Sequence, residues 1–285
     1  MTDSRKTAKK ARSRSPRFCD LAGRENDDLP LDEVALAIAD EERPGARRGA
    51  TLRRLDNLAE GLQKRLPSSE EPIELLESLA EFLFKKEGFA GNTDDYYDLR
   101  NSFLDDVVDR KRGIPISLSI VAIEVARRVG LALVGVGFPG HFLVTTKEES
   151  GIYLDAFRGG QLLQQEECRS LLETLSAGHL TMKASDLEPV TGRQVATRVL
   201  QNIKGIHLRQ GRLDAAVETV NRILLLFPEA TGIYRERGLM YLQLEAFRFA
   251  RDDLRTYLER VQDPPDRDAI EHALQRAEKM ANMLL

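Results

Sequence analysis

Tryptophan is absent from this chain of 285 residues, cysteine occurs twice and histidine four times. With only Cys19 and Cys168, no disulfide framework can staple the fold, and the usage fits a reducing compartment. Neither cysteine opens an apolar helix, where a nucleophilic thiolate would be stabilised, so both read as incidental. His179, His207 and His272 lack partners at ligand spacing, which argues against a metal centre. Gly159-Gly160 reads as a turn, because no glycine-rich strand-to-helix motif surrounds it to cradle a phosphate. No cofactor is therefore expected. No run approaches the ~18 consecutive apolar residues of a membrane helix, and no apolar core follows the basic start, as a secretory signal would need.

Charge is present in both signs but unevenly placed. The first 17 residues hold Arg5, Lys6, Lys9, Lys10, Arg12, Arg14 and Arg17 against Asp3. Removing that net +6 from the chain's −4 leaves −10 for the remainder. A basic arm on an acidic body reads as a disordered, solvating tail over residues 1–28. Phe18 is its first aromatic residue, so the arm offers no stacking platform and a nucleic-acid partner is not expected. Its Arg/Ser-rich, acid-poor character leaves an organelle-targeting reading open, and a cytoplasmic location is the expectation taken here.

Beyond the tail, apolar residues recur at helical spacing. Leu31 to Glu42, Thr51 to Leu66 and Pro72 to Phe84 read as amphipathic helices, the last with Ser68 and Glu71 at capping-box spacing. Gly88 to Asn92 reads as a loop, and Ser102 to Asp109 as a short helix capped by Asn101 or Ser102. Gly113-Ile114-Pro115-Ile116-Ser117-Leu118-Ser119 then opens a helix with apolar residues on most of its surface, ended by Gly130. Such a helix is buried, and its N-terminus gathers free N–H groups and partial positive charge. After Gly130 the period shortens: Leu131–Phe138, His141–Thr146 and Ile152–Phe157 read as strands, the last two an antiparallel hairpin around Lys147–Gly151. A helix follows over Gln165 to Ser176.

A three-residue hairpin loop, Lys147 to Glu149, would set His141 opposite Asp155 with Cβ atoms about 5 Å apart. A carboxylate there holds an imidazole in one tautomer, and a nucleophile at the buried helix N-terminus would complete a triad. Ser117 is the candidate nucleophile, although it reads first as the helix cap. Nothing in the spacing decides whether Pro115, Ile116 or Ser117 stands at the nucleophile position.

The last third has a longer period. Ala216 and Ala250 lie 34 residues apart in matching settings, with Gly238 at an earlier small position and Pro228 closing the first unit. A 34-residue period with small residues at helix contacts is the tetratricopeptide (TPR) signature. Two repeats leave a face uncovered, so the pair is expected to pack on the front domain with a last helix, Arg267 to Leu284, as cap. Arg193, Arg198, Lys204, Arg209 and Arg212 read as a solvated helix face rather than as a groove lining.

Residues from about 31 to 262 resemble the bacterial transglutaminase-like, TPR-containing family of SirB-type regulators. The resemblance is carried by Leu55-Asp56, Gly88-Phe89, Gly91-Asn92, Asn101-Ser102, Arg112 to Leu118, Phe138 to Leu143, Asp155-Ala156-Phe157, Gly159-Gly160, Asn202-Ile203-Lys204 and Arg235 to Gly238. It implies an α+β fold: a transglutaminase-like (papain-like) core over 29–190, with a helical N-terminal part, then TPR-type helical hairpins over 191–285. Enzymes of that class carry a cysteine at the start of the central helix, and this chain has none. The function expected is therefore a non-catalytic binding or regulatory protein that holds a protein partner through its TPR helices. The alternative is a hydrolase or acyltransferase using Ser117, His141 and Asp155.

Overall fold

The computed structural model describes residues 16–24, 29–68, 71–148 and 151–283. By contacts the chain divides into two units, Met1–Val199 and Leu200–Leu285.

The first unit opens with helices, because leucine and alanine recur there at helical spacing with few breakers. Helix α1 (Pro16–Ala22) was not anticipated: Phe18, Leu21 and Ala22 are buried. The expected disordered stretch is thus corrected there, while residues 1–15 and 25–28 lie outside the described residues. Three apolar side chains within five residues outweigh the neighbouring charge. Helix α2 (Leu31–Glu42) buries Leu31, Val34, Ala35, Ile38 and Ala39, and α3 (Arg48–Gln63) buries Leu55, Ala59 and Leu62. Helix α4 (Pro72–Ala80) starts without the expected capping box: Glu71 is the N-cap and forms no side-chain cap bond. It runs on as a π-helical turn, Glu81–Lys86, that buries Phe82, Leu83 and Phe84.

The expected Gly88–Asn92 loop contains a short strand. Here β1 (Ala90–Gly91) pairs in parallel with β2 (Arg112–Gly113). Between them lie a 3₁₀ turn, Leu99–Asn101, and α5 (Leu104–Arg110), whose N-cap is Phe103 and not Asn101 or Ser102. Helix α6 (Pro115–Arg128) is buried at every residue from Pro115 to Ala126, and Gly130, at φ +84°, turns the chain out of it.

Behind α6 comes a five-stranded antiparallel sheet: β3 (Leu133–Val136), β4 (Leu143–Thr146), β5 (Ile152–Asp155), β6 (Gln161–Gln164) and β7 (Pro189–Val190). Its order is β6-β5-β4-β3-β7. Helix α7 (Gln165–Leu175) covers it, and Val136, Phe138, Leu143, Leu163, Cys168, Leu171 and Leu172 close one buried cluster. This is an α+β fold.

Helix α8 (Gly192–Arg209) runs through the division at Val199/Leu200. The second unit continues with α9 (Leu213–Leu226), α10 (Thr231–Gln243), α11 (Phe247–Arg260) and α12 (Arg267–Met283). Ala216 and Ala250 are fully buried. A Cβ on Gly238 would lie 2.8 Å from the Leu254 side chain, so a small residue is required where α10 meets α11.

Candidate functional site

The start of α6 is built around Ser117. Ile114 is the N-cap in an extended conformation and Pro115 occupies the first helical position, where its missing N–H costs nothing. Ser117 therefore sits two residues further in and caps by reaching back, which corrects its expected place as the cap itself. Its Oγ accepts the Ile114 N–H at 3.0 Å and lies 2.6 Å from the Asn101 carbonyl, to which it donates. A Cβ on Gly113 would come within 2.6 Å of that oxygen, so glycine makes room for the bond.

Asn101 is fully buried and organises the loop before it. Its Nδ2 donates to the carbonyls of Asp95 (2.7 Å) and Tyr96 (3.2 Å), and its Oδ1 accepts from Asn92 Nδ2 at 3.0 Å. Two asparagines thus close the Asn92–Asn101 loop, and Ser117 fastens it to α6.

His141 follows the Pro139-Gly140 turn, where Gly140 takes φ +68°, and stands just before β4. Asp155 ends β5. The pairing Val144↔Leu154 and Thr145↔Tyr153 places Leu143 opposite Asp155, two residues from the expected register. The loop is longer than the expected three residues, although 149 and 150 lie outside the described residues. A shift of two preserves the face of every side chain. His141 Nε2 accordingly lies 2.9 Å from Asp155 Oδ2. Asp155 Oδ1 accepts the N–H groups of Phe157 (3.0 Å) and Arg158 (3.1 Å). Both residues are buried, His141 at 6% exposure and Asp155 at 0%. A carboxylate on Nε2 keeps the proton there and leaves a lone pair on Nδ1. Nδ1 has no hydrogen-bond partner among the described residues, yet it is not sealed from solvent.

Aromatic rings wall the imidazole. Phe157 stands edge-on to His141 at 6.1 Å, Tyr96 edge-on to Phe157 at 5.9 Å, and Tyr97 edge-on to Tyr96 at 5.3 Å. A Cβ on Gly91 would meet the Phe157 ring at 2.6 Å, so β1 must carry glycine for the ring to lie there. Burial holds the Tyr96 phenol above its ordinary pKa, Tyr97 adds to this and Arg198 opposes it. Arg198 Nη2 donates to the carbonyls of Phe138 (2.5 Å) and His141 (2.7 Å), and its guanidinium lies over the Phe142 ring.

His141 and Asp155 are brought together. Ser117 is bonded elsewhere, and no hydrogen bond joins it to His141. Cys168 is buried on α7, its thiol pushed up to about 12 by burial and by Glu167 and Asp155 nearby. Cys19 is half-buried on α1. Among the described residues no group of three or more His, Cys, Asp or Glu could hold a metal ion, and no helix is long and apolar enough to cross a membrane. The solvated-face reading of the basic residues is corrected at three positions. Arg193 is buried and donates to the Ala22 and Arg24 carbonyls, Arg198 holds the His141 turn, and Lys204 pairs with Glu236 at 2.7 Å. Sequence reading gave Asn92, Tyr96 and Arg198 no place in the site. The local signal for the first two is a cluster of turn-forming residues between Gly91 and Asn101, with Asn92 also in the resembling Gly91-Asn92 pair.

Residues 49–201 match the model of the transglutaminase-like superfamily, and residues 203–275 match a tetratricopeptide repeat. A UPF0162 protein of Xylella fastidiosa is 39% identical over 252 residues, 86% of this chain and 88% of that protein. A UPF0162 protein of Pseudomonas aeruginosa is 31% identical over 240 residues, covering 83% of this chain and 86% of that one. F-box only protein 21 of Homo sapiens is 29% identical over 184 residues, 60% of this chain but 28% of its own length.

Proposed function

Because this chain belongs to the UPF0162 family and to the transglutaminase-like superfamily, we propose that it works by binding, as a regulator of the SirB type, and not by acyl transfer. The observation that supports this is the Ser117 hydroxyl. Its proton is directed at the Asn101 carbonyl 2.6 Å away, and its lone pair takes the Ile114 N–H. A nucleophilic serine must instead present its O–H to the base that removes the proton. His141 and Asp155 keep the geometry of base and orienter, so a hydrogen-bond acceptor, Nδ1, remains beside Phe157 and Tyr96 with no nucleophile to activate. The TPR helices would supply the protein-binding surface, in a cytoplasmic setting.

A hydrolase using Ser117, His141 and Asp155 is the second reading, favoured by the 2.9 Å His141–Asp155 contact. One experiment separates the two. Intact protein is treated with a fluorophosphonate and with iodoacetamide, and the modified residues are mapped by mass spectrometry. Binding without catalysis predicts no label on Ser117. A labelled Ser117, with the label lost in His141→Ala, would establish the enzyme instead.

A further inference from the structure

Two arginines inside this fold are held by acids. Arg128 is bonded to Asp32, Asp56 and Glu124, and Arg237 to Asp253. Arg198 differs: among the described residues no carboxylate pairs with it, and its two acceptors are neutral carbonyls reached from Nη2. A guanidinium carries five N–H donors. The one on Nε and the two on Nη1 have no partner among the described residues, and neither nitrogen is sealed from solvent.

The surroundings suit an incoming charge. A Cβ on Gly137 would lie 3.2 Å from Arg198 Nη1, so glycine there leaves that nitrogen unobstructed. Tyr96 is near enough for its phenol and the guanidinium to influence each other's protonation: burial lowers the Arg198 pKa, and the Tyr96 phenol opposes that shift. His141, whose carbonyl Arg198 holds, offers its unpartnered Nδ1. A partly buried cation without a counter-ion is an expensive arrangement, and a bound anion would relieve it.

We propose that Arg198 and Tyr96 form a receiving site for an oxyanion, the carboxylate or phosphate of a ligand whose neighbouring N–H or O–H donates to His141 Nδ1. The carboxylate at a peptide C-terminus, with its adjacent amide N–H, has this chemistry, and so does a phosphate ester with a nearby hydroxyl. The inference deepens the binding reading above and rests on it for the absence of turnover. A labelled Ser117 would overturn that reading and leave the oxyanion contact standing as substrate recognition.

The test is an NMR titration of the full chain with N-acetylglycine, with uncharged N-acetylglycinamide and with inorganic phosphate, followed at the Phe138, Gly140, His141 and Phe142 amides and the His141 ring nitrogens. Saturable shifts with N-acetylglycine, at least about tenfold weaker with the amide or in Arg198→Gln, are expected for a carboxylate site. Saturation by phosphate alone would support the same site and assign the phosphate source. No saturable shift with either anion, or equal affinity in Arg198→Gln, would overturn it. Tyr96→Phe removes only a loop hydroxyl and serves if Arg198→Gln does not fold. It should weaken binding about fivefold, and unchanged affinity would overturn the proposal.

Discussion

Ser117 and Cys168 are both buried chalcogen side chains, and their partners give them different fates. Ser117 satisfies a buried carbonyl and a buried N–H at once, so Ser117→Ala should cost about 2–3 kcal/mol, more than an exposed helix cap. Urea denaturation measures this, and a loss below about 0.5 kcal/mol would contradict the assigned bonds. Cys168 has no such partner and simply fills space in the cluster under α7. Its thiol sits at about 12, against an ordinary 9.0. Between those values the unfolded chain has released a proton that the folded chain retains. Stability should therefore fall as pH rises through that window, and Cys168 contributes no such slope at neutral pH. At pH 8 iodoacetamide should modify Cys168 only after denaturation, while half-buried Cys19 reacts in the native protein. Rapid native modification of Cys168 would show that the cluster opens.

At the scale of elements, the turn after β5 depends on the π-helical turn packed against it. Gly160 takes φ +78°, and a Cβ there would lie 2.4 Å from Phe84 Cδ2, whereas Gly159 takes φ +72° facing open space. Gly159→Ala should cost about 1 kcal/mol of backbone strain. Gly160→Ala adds overpacking and should cost about 2–4 kcal/mol. Thermal melts of the pair decide it, and equal losses would refute the packing argument. The helices were legible because their period is local. So was the shared face of His141 and Asp155, since alternation along a strand survives an error of two in register. Other features carry no local signature. The π turn keeps an ordinary apolar pattern, β7 is two residues with a proline, and β1 pairs with a partner more than twenty residues on. The Ser117 bond ends on a carbonyl sixteen residues away, and any residue there carries a carbonyl. Arg198 looked like one more exposed cation, because sequence cannot show that no acid faces it.

For the whole molecule, the division at Val199/Leu200 falls inside α8. A fragment 200–285 would lose the first two turns of that helix, leaving a short repeat array with a shortened first element. It should show less helix per residue by circular dichroism and a broader melt than a fragment 192–285. Equal cooperativity in the two would show that the early turns of α8 contribute nothing to the second unit.

Arg193 on α8 is bonded to the Ala22 and Arg24 carbonyls at the end of α1, so the first and last described helices of the first unit meet. A chain whose ends adjoin can be reconnected in another order. Joining the first-unit part of α8, through Val199, to the start of α1 by a glycine linker, with new ends at the exposed Ala177-Gly178 turn, should leave the His141–Asp155 pair assembled. The same closure would let the unit be spliced into a surface loop of an unrelated host, as a cassette that asks only two nearby attachment points of its carrier.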